Sequence, residues 1–243
     1  MNKCTADDGV AEVIGFILII ALVVAVAAVW ILVYIPAQGN AVETEHSRVV
    51  TEEIADIKYG IDLLWTTEQT GMNASRVISP SPVEGTEISG LLFVSPPVGT
   101  GTISVSPGTN FTVVHSGGTL FVYAMKIAYN SANYYAPDTR IVYDGGAVFR
   151  GQKTEDPYVL LPPSTGESQL VIVAVSGGGE QQILSNIPLG ITYKYNSTQT
   201  YSGATVTVNA SSEYADLWNA SIGAPFSGTV TVVKYDVEIG SPQ

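Results

Sequence analysis

The feature that most constrains this chain is an uninterrupted apolar run near its N-terminus, from Val13 to Ile35. The run holds 23 residues without a single charge. At 1.5 Å rise per residue, a helix of this length spans roughly 35 Å, which exceeds the hydrocarbon core of a bilayer at about 30 Å. Trp30 and Tyr34 lie near its C-terminal end, where interfacial aromatic residues are common. The run therefore predicts a transmembrane helix at residues 13–35.

Two other interpretations of the apolar run stay open. A buried helix of a soluble core could have the same composition. A cleaved secretory signal would have an apolar region of only about 7–15 residues behind positive charge, whereas Asp7 and Asp8 precede this run. Ala37 and Gly39 could still imitate the small residues of a cleavage site. The length of the run favours the transmembrane helix over both.

A second helical pattern follows after a short interruption. Pro36 and Gly39 are expected to break the helix, and the pattern then resumes over residues 41–68, with Gly71 as a natural stop. Apolar residues recur there at alternating spacings of four and three residues: Val50, Ile54, Ile57, Ile61 and Leu64. This spacing predicts an amphipathic helix with one stripe to bury. The helical part of the chain is thus expected at residues 10–71.

The junction between the polar N-terminus and the apolar run carries a family resemblance. The segment reads Gly-Val-Ala-Glu-Val-Ile-Gly-Phe from Gly9 to Phe16 and continues directly into the run. It resembles the class III (prepilin) signal of archaeal type IV pilin-like proteins. The resemblance implies that residues 1–9 are a leader peptide, that cleavage follows Gly9, and that Val10 becomes the new N-terminus. It also implies a prepilin peptidase, a membrane assembly platform with an ATPase, and other pilin subunits as partners.

Glu12 is the acidic residue at the edge of the apolar helix. Such a carboxylate costs little at the membrane surface, but it needs a partner inside a hydrocarbon-like filament core. The free amine that cleavage would create at Val10, in the same or a neighbouring subunit, is the obvious candidate. We therefore expect Glu12 to act in assembly, with an interfacial glutamate of no special role as the alternative.

The rest of the chain carries signals of β structure. Residues 72–109 are rich in Pro, Gly, Ser and Thr and predict a connection that contains the first strands. Residues 110–243 contain short runs of Val, Ile, Thr, Tyr and Phe separated by turn residues, including a hairpin at Asp144-Gly145-Gly146. This pattern predicts an antiparallel β-sandwich, with a short helix over residues 211–219 capped by Ser211 or Ser212. The expected fold class is therefore α+β.

Composition excludes several functions. The net charge of −12 argues against nucleic-acid binding, because no basic patch is present to contact phosphates. The single cysteine is Cys4, and the two histidines, His46 and His115, occur in no recognisable catalytic or zinc motif. Acidic loops that could bind calcium lack the spacing of an EF-hand; they contain Asp138, Asp144 and Glu155-Asp156. We expect no enzymatic activity, no cofactor and no metal site.

Five Asn-X-Ser/Thr sequons indicate an extracellular domain that carries N-glycans; they begin at Asn73, Asn110, Asn196, Asn209 and Asn219. Together with the resemblance, they give the expected function: a subunit of a type IV pilus-like surface filament that carries a glycosylated domain exposed for adhesion. Such a subunit would stay in the membrane before assembly, with its β domain outside the cell. The alternative is a single-span membrane protein whose β-sandwich binds a ligand or a cell-wall component.

Overall fold

The structure is a computed structural model, and it describes residues 5–67, 70–82, 97, 99–152, 155–166, 168–176, 181–185 and 187–240. The side chains of residues 5–11 and 184–185 are not described. Residues 1–4 of the expected leader therefore lie outside the described residues, as do residues 83–96 of the expected connection.

One continuous helix forms the N-terminal part of the molecule. It consists of α1 (Thr5–Val29), a π-helical turn (Trp30–Tyr34) and α2 (Ile35–Thr66). At 1.5 Å per residue it is roughly 90 Å long. The predicted second helix extended to residue 68, two residues beyond the observed end of α2 at Thr66.

The expected interruption at Pro36 and Gly39 is absent. Pro36 lacks an N–H and cannot bond to the carbonyl four residues earlier. The π-helical turn directly before it shifts the hydrogen-bonding register, so that Pro36 falls in the first turn of α2, where a missing N–H is tolerated. The proline therefore changes the local pitch without ending the helix.

Eleven strands of the described residues form a single sheet. They are β1 (Asn73–Ile78), β2 (Thr100–His115), β3 (Gly118–Ala132), β4 (Thr139–Asp144), β5 (Ala147–Gln152), β6 (Glu155–Leu161), β7 (Thr165–Gly166), β8 (Gln169–Val175), β9 (Gln181–Ser185), β10 (Leu189–Val208) and β11 (Phe226–Gly240). The order along the sheet is β6-β5-β4-β3-β2-β10-β11-β8-β7, with β1 on β10 and β9 on β2. The α+β class is confirmed.

One strand pairing departs from the expected antiparallel arrangement. β8 pairs with β11 in parallel, from Gln169 opposite Thr229 to Val175 opposite Tyr235. Some fifty residues (176–225) separate these two strands, which is ample for the long crossover that a parallel pair requires. β8 also meets β3 at Ala124 and Ala174. The sheet therefore curls back on itself, instead of splitting into two separate sheets.

The two faces of the sheet carry two apolar cores. The first contains the α2 stripe from Val50 to Leu64, all five of whose residues are buried, packed against residues such as Ile103, Tyr193 and Tyr235. Each buried side chain of this size stabilises the fold by roughly 1.5–3 kcal/mol. The second core surrounds Trp218 of a short helix, α3 (Ala215–Ile222). The β8 residues alternate between the two cores, so this strand is covered on both faces.

Two local predictions from the sequence, the β4–β5 hairpin and the cap of α3, have different outcomes. Asp144-Gly145-Gly146 forms the β4–β5 hairpin. Both glycines have positive φ (63° and 109°), as the two central residues of a tight two-residue hairpin turn commonly do. The predicted N-cap of α3 is wrong. The N-cap residue is Tyr214, and its side chain forms no capping hydrogen bond. Ser212 instead accepts the Asn110 N–H through Oγ, at 3.2 Å.

Candidate functional site

The apolar half of the long helix has no contact that buries it. From Val13 to Val33 its phenylalanine and large aliphatic side chains are exposed, from 46% for Ile20 to 74% for Leu32, while Trp30 is half-buried. The helix from Glu12 to Thr66 is long and apolar enough to cross a membrane, and its most apolar window is entirely unburied. Exposed apolar surface on this scale is unfavourable in water. This segment therefore requires lipid or other helices around it.

The residues assigned to processing and assembly lie at the start of this segment. The peptide bond between Gly9 and Val10 lies inside α1. Glu12 is exposed one turn further on, at the beginning of the apolar window. The helix thus presents the Glu12 carboxylate at its polar-to-apolar boundary, close in sequence to the proposed new N-terminus.

The π-helical turn marks the other end of the apolar segment. The rings of Trp30 and Tyr34 stack within it, with centroids 4.0 Å apart and planes 25° from parallel. Beyond this turn the helix begins to contact the sheet. The stacked aromatic pair therefore lies between the unburied and the buried parts of the helix.

Gly39 packs closely against the loop between β3 and β4. The Tyr135 ring lies directly against it, and a Cβ built on residue 39 would overlap ring carbons. Beside it, Asn40 Nδ2 donates to the Tyr135 carbonyl at 3.2 Å. The sequence suggested Gly39 as a helix breaker, but here its missing side chain allows close packing.

Glu43 fixes the helix to the same loop one turn later. Its carboxylate is 1% exposed and accepts four backbone N–H bonds. The donors are Gly99 (3.0 Å), Tyr134 (2.8 Å), Tyr135 (2.8 Å) and Ala136 (2.7 Å). Bonds to a charged acceptor are stronger than neutral ones. Sequence reasoning missed this residue, although Glu43 lies seven positions before Val50 and so extends the buried stripe.

Further contacts continue along α2. Glu53 accepts from the Ser79 N–H (2.9 Å) and Oγ (3.0 Å). Burial raises the pKa of this carboxyl, and the two bonds from Ser79 oppose that shift. The Tyr235 hydroxyl donates to the Ile61 carbonyl at 2.8 Å, and Gly60 has no room for a Cβ beneath the Tyr193 hydroxyl. The second half of the helix is therefore an integral part of the β domain.

The two histidines have different surroundings. His46 is buried on α2 with its ring 6.2 Å from Tyr129, and burial lowers its pKa, partly opposed by a hydrogen bond with the Pro80 backbone. His115 is the last residue of β2, and its Nδ1 accepts the N–H of Gly117 in the β2–β3 turn at 3.0 Å. His46 is thus an interface residue, and His115 borders a turn.

The acidic loops do not come together as a metal site. Asp144 is fully buried and accepts bonds from Thr109 N (3.1 Å) and Oγ1 (2.6 Å). Asp138 accepts the Asn133 N–H at 2.9 Å. In the part of the chain that the structure describes, no group of three or more His, Cys, Asp or Glu residues is placed to hold an ion.

A cleft of about 350 Å³, lined mainly by polar residues, lies beside β4, β5 and the segment that leads into α3. Arg140 lines the cleft, ion-paired to Glu213 and 5.9 Å above the Tyr214 ring. Because Glu213 already neutralises Arg140, the cleft offers hydrogen-bonding groups rather than net positive charge.

The sequon asparagines fall in different environments. Asn73 and Asn209 are exposed, whereas Asn110, Asn196 and Asn219 are half-buried. Asn196 Nδ2 donates to Asp236 at 2.8 Å. The Asn219 carbonyl accepts the Ala224 N–H at the end of α3. Asn110 and Asn209 lie side by side, since the Asn209 N–H donates to the Asn110 carbonyl at 2.9 Å.

These features define a protein with one exposed apolar helix, fused to a β domain that contains the second half of the same helix. The chain belongs to a family of unknown function, DUF7289, whose model matches residues 97–238, more than half of its length. The matched region covers most of the sheet and leaves out the long helix. No curated protein and no solved structure matches the chain.

Proposed function

We propose that this protein is a structural subunit of an archaeal type IV pilus-like surface filament. Its apolar helix packs in the filament core, and its glycosylated β domain forms the outer surface and is available for adhesion. The observation that carries the proposal is the exposure of residues 12–34 on a helix whose second half is built into the sheet. Copies of this segment could bury one another's apolar stripes, as helices in a bundle do. The role is mechanical, not catalytic.

Assembly is a transfer of the apolar helix from lipid to protein. Before assembly residues 13–35 cross the membrane, and the β domain lies outside the cell. A prepilin peptidase removes residues 1–9, and a membrane platform with its ATPase moves the helix into the growing filament. Its neighbours in the filament are further copies of this chain or other pilins. In that core the Glu12 carboxylate pairs with the Val10 amine, because an unpaired charge would be costly there.

The junction with the sheet supports this mechanism. Force applied to the apolar helix passes into α2 without a flexible linker, because the helix is continuous from Thr5 to Thr66. The contacts of Gly39 and Glu43 then hold α2 to the β domain. Helix and β domain would therefore move as one body during extraction from the membrane.

A second candidate function is a single-span membrane protein whose β domain binds a ligand or a cell-wall component. The cleft that Arg140 lines is the observation that favours it. This alternative needs neither cleavage after Gly9 nor pairing of Glu12. The two functions therefore differ in the N-terminus of the mature protein and in its assembly state.

The N-terminus is the first test. Intact-mass and N-terminal peptide analysis of protein from native membranes or shed filaments should give a mature chain that begins at Val10. An intact Met1 would contradict the filament proposal and favour the membrane anchor. A chain that begins beyond Ala37 would instead indicate a secreted β-domain protein.

A matched pair of variants then tests assembly itself. Glu12→Ala should be cleaved and inserted normally yet give no filaments by electron microscopy, because the Val10 amine loses its partner. Glu45→Ala removes an exposed acid from the same helix and should assemble normally. Filaments of wild-type appearance from Glu12→Ala would exclude the proposed pairing. A correctly cleaved wild-type protein that never forms filaments would favour the second function.

A further inference from the structure

One face of the β2–β3–β10 region is exposed or half-buried, apolar in part, and formed by residues without charge. We call it the uncharged face; its residues are Asn110, Thr112, Val114, Thr119, Phe121, Tyr123, Thr205, Thr207 and Asn209. Phe121 is 64% exposed, Tyr123 52% and Val114 46%. The alternate residues on the same strands, such as Phe111, Val113 and Val122, are buried in the second core. Exposed aromatic residues grouped in this way mark an interaction surface.

A sequon lies directly beside the two aromatic rings. Asn110 is the cross-strand partner of Tyr123, and Thr112 of the same sequon is the partner of Phe121. Cross-strand partners have Cβ atoms about 4.5–5.5 Å apart, and residues two apart on a strand share a face. Both ends of the Asn110-Phe111-Thr112 sequon therefore lie next to an exposed ring.

We propose that the uncharged face is covered by an N-linked glycan on Asn110, whose first sugars lie across Tyr123 and Phe121. The C–H face of a sugar is apolar enough to pack on an aromatic ring, and a face without charge suits a neutral ligand. A glycan attached at Asn110 is held at high local concentration beside the rings. This proposal rests on the extracellular location proposed above but not on filament formation.

The modification is a glycosyl transfer. Asn110 Nδ2 forms a bond to the anomeric carbon of a lipid-phosphate-linked oligosaccharide. The bond from that carbon to the phosphate oxygen breaks, the lipid phosphate leaves, and the amide proton passes to a base of the transferase. The donor and transferase are supplied by the cell.

Asn209 is the competing attachment point on this face. It lies on the side of Asn110 away from Tyr123, two strand spacings or roughly 10 Å from that ring. Its Oδ1 accepts bonds from Ser211 N (3.0 Å) and Oγ (2.9 Å), so its side chain is held in its own turn. A sugar on Asn209 would have to pass over Asn110 to reach the aromatic pair.

The first test is glycopeptide mass spectrometry on the full chain from its native host. The peptide that contains Asn110 should carry a glycan. An unmodified Asn110, or a glycan on Asn209 alone, would overturn the proposal.

The second test is hydroxyl-radical footprinting of the same protein, read at Tyr123 and at Tyr158. Tyr158 is a suitable reference because it is similarly exposed, at 48%, on β6. With the glycan in place, Tyr123 should react more slowly than Tyr158. In Asn110→Gln and in Thr112→Val, which both abolish the sequon, the ratio of the two rates should rise towards unity.

The control for both variants is Asn73→Gln, which removes an exposed sequon on β1 and should leave the ratio unchanged. Thr112→Val keeps Asn110 and a β-branched side chain, so it remains informative if Asn110→Gln fails to fold. Equal reaction of Tyr123 and Tyr158 in the wild-type glycoprotein would show that nothing covers the rings. The same ratio in the wild type and both variants would exclude a glycan as the cover.

Discussion

The carboxylate of Glu43 accepts a 2.7 Å hydrogen bond from the backbone N–H of Ala136, a residue 93 positions further along the chain. The same carboxylate binds three other N–H groups, from Gly99, Tyr134 and Tyr135. One acidic side chain thus satisfies three consecutive amides of the β3–β4 loop and one amide just before β2, and it joins both segments to the helix. This contact adds to the apolar packing of α2 in holding the β domain in place relative to the apolar segment.

Glu43→Gln should destabilise the protein strongly. The amide keeps the shape of the carboxylate but places an NH2 group against backbone N–H donors, leaving buried groups unsatisfied. We expect a loss of roughly 2–4 kcal/mol in the free energy of unfolding. Chemical denaturation of the full chain in detergent, followed by tryptophan fluorescence, measures it. Glu45→Gln alters an exposed carboxylate whose ion pair with Arg48 is screened by solvent, so it should leave stability nearly unchanged. Equal effects of the two variants would contradict the assigned role of Glu43.

Gly39→Ala should also destabilise the junction, because its Cβ would overlap the Tyr135 ring. Overpacking of this kind costs about 1–3 kcal/mol. The matched control is Gly15→Ala in the apolar segment, where a Cβ meets nothing within 4 Å. Thermal unfolding should show a lower Tm for Gly39→Ala only, and Tyr135→Ala in the same chain should recover part of the loss. A Gly39→Ala protein as stable as wild type would show that the ring does not pack there.

His46 should make stability depend on pH in a defined direction. Burial lowers the pKa of the folded histidine below its ordinary value of 6.5. The unfolded chain therefore takes up a proton first, and stability that is present above pH 6.5 is lost as the pH falls towards the folded pKa.

His46→Gln should flatten this dependence in denaturation curves recorded between about pH 8 and pH 5.5, the range that brackets an ordinary histidine pKa. His115→Gln, which removes the imidazole at the turn, should retain it. Glu53, whose pKa is also shifted, is present in the wild type and in both variants, so its titration cancels in the comparison. A slope that His46→Gln does not reduce would assign the pH dependence to other groups.

Glycan occupancy should differ between sequons of the folded protein. Asn196 Nδ2 is engaged with Asp236 in the β10–β11 ladder, and a sugar on that nitrogen would displace the aspartate. Asn73 is exposed at the start of β1. Glycopeptide analysis should therefore find Asn73 modified and Asn196 unmodified. Comparable occupancy at both would indicate that modification precedes folding of this ladder.

Local sequence patterns predicted the elements whose structure depends on near neighbours. The apolar run gave the exposed helix, and the spacing from Val50 to Leu64 gave the buried stripe, because helical periodicity can be read within a few turns. Asp144-Gly145-Gly146 gave a hairpin, because only glycine readily adopts its two positive φ values.

Tertiary structure alone decided the features that join distant parts of the chain. Pro36 and Gly39 looked like a break, but a π-helical turn absorbs the proline, and the Tyr135 ring uses the space at the glycine. Glu43 lies on the buried stripe, yet nothing local shows that four amides from residues 99 and 134–136 would surround it. The parallel β8–β11 pair likewise joins strands that are separated by fifty residues of the chain. Periodicity reports which side of an element is buried, whereas the partner that buries it is set by contacts across the whole chain.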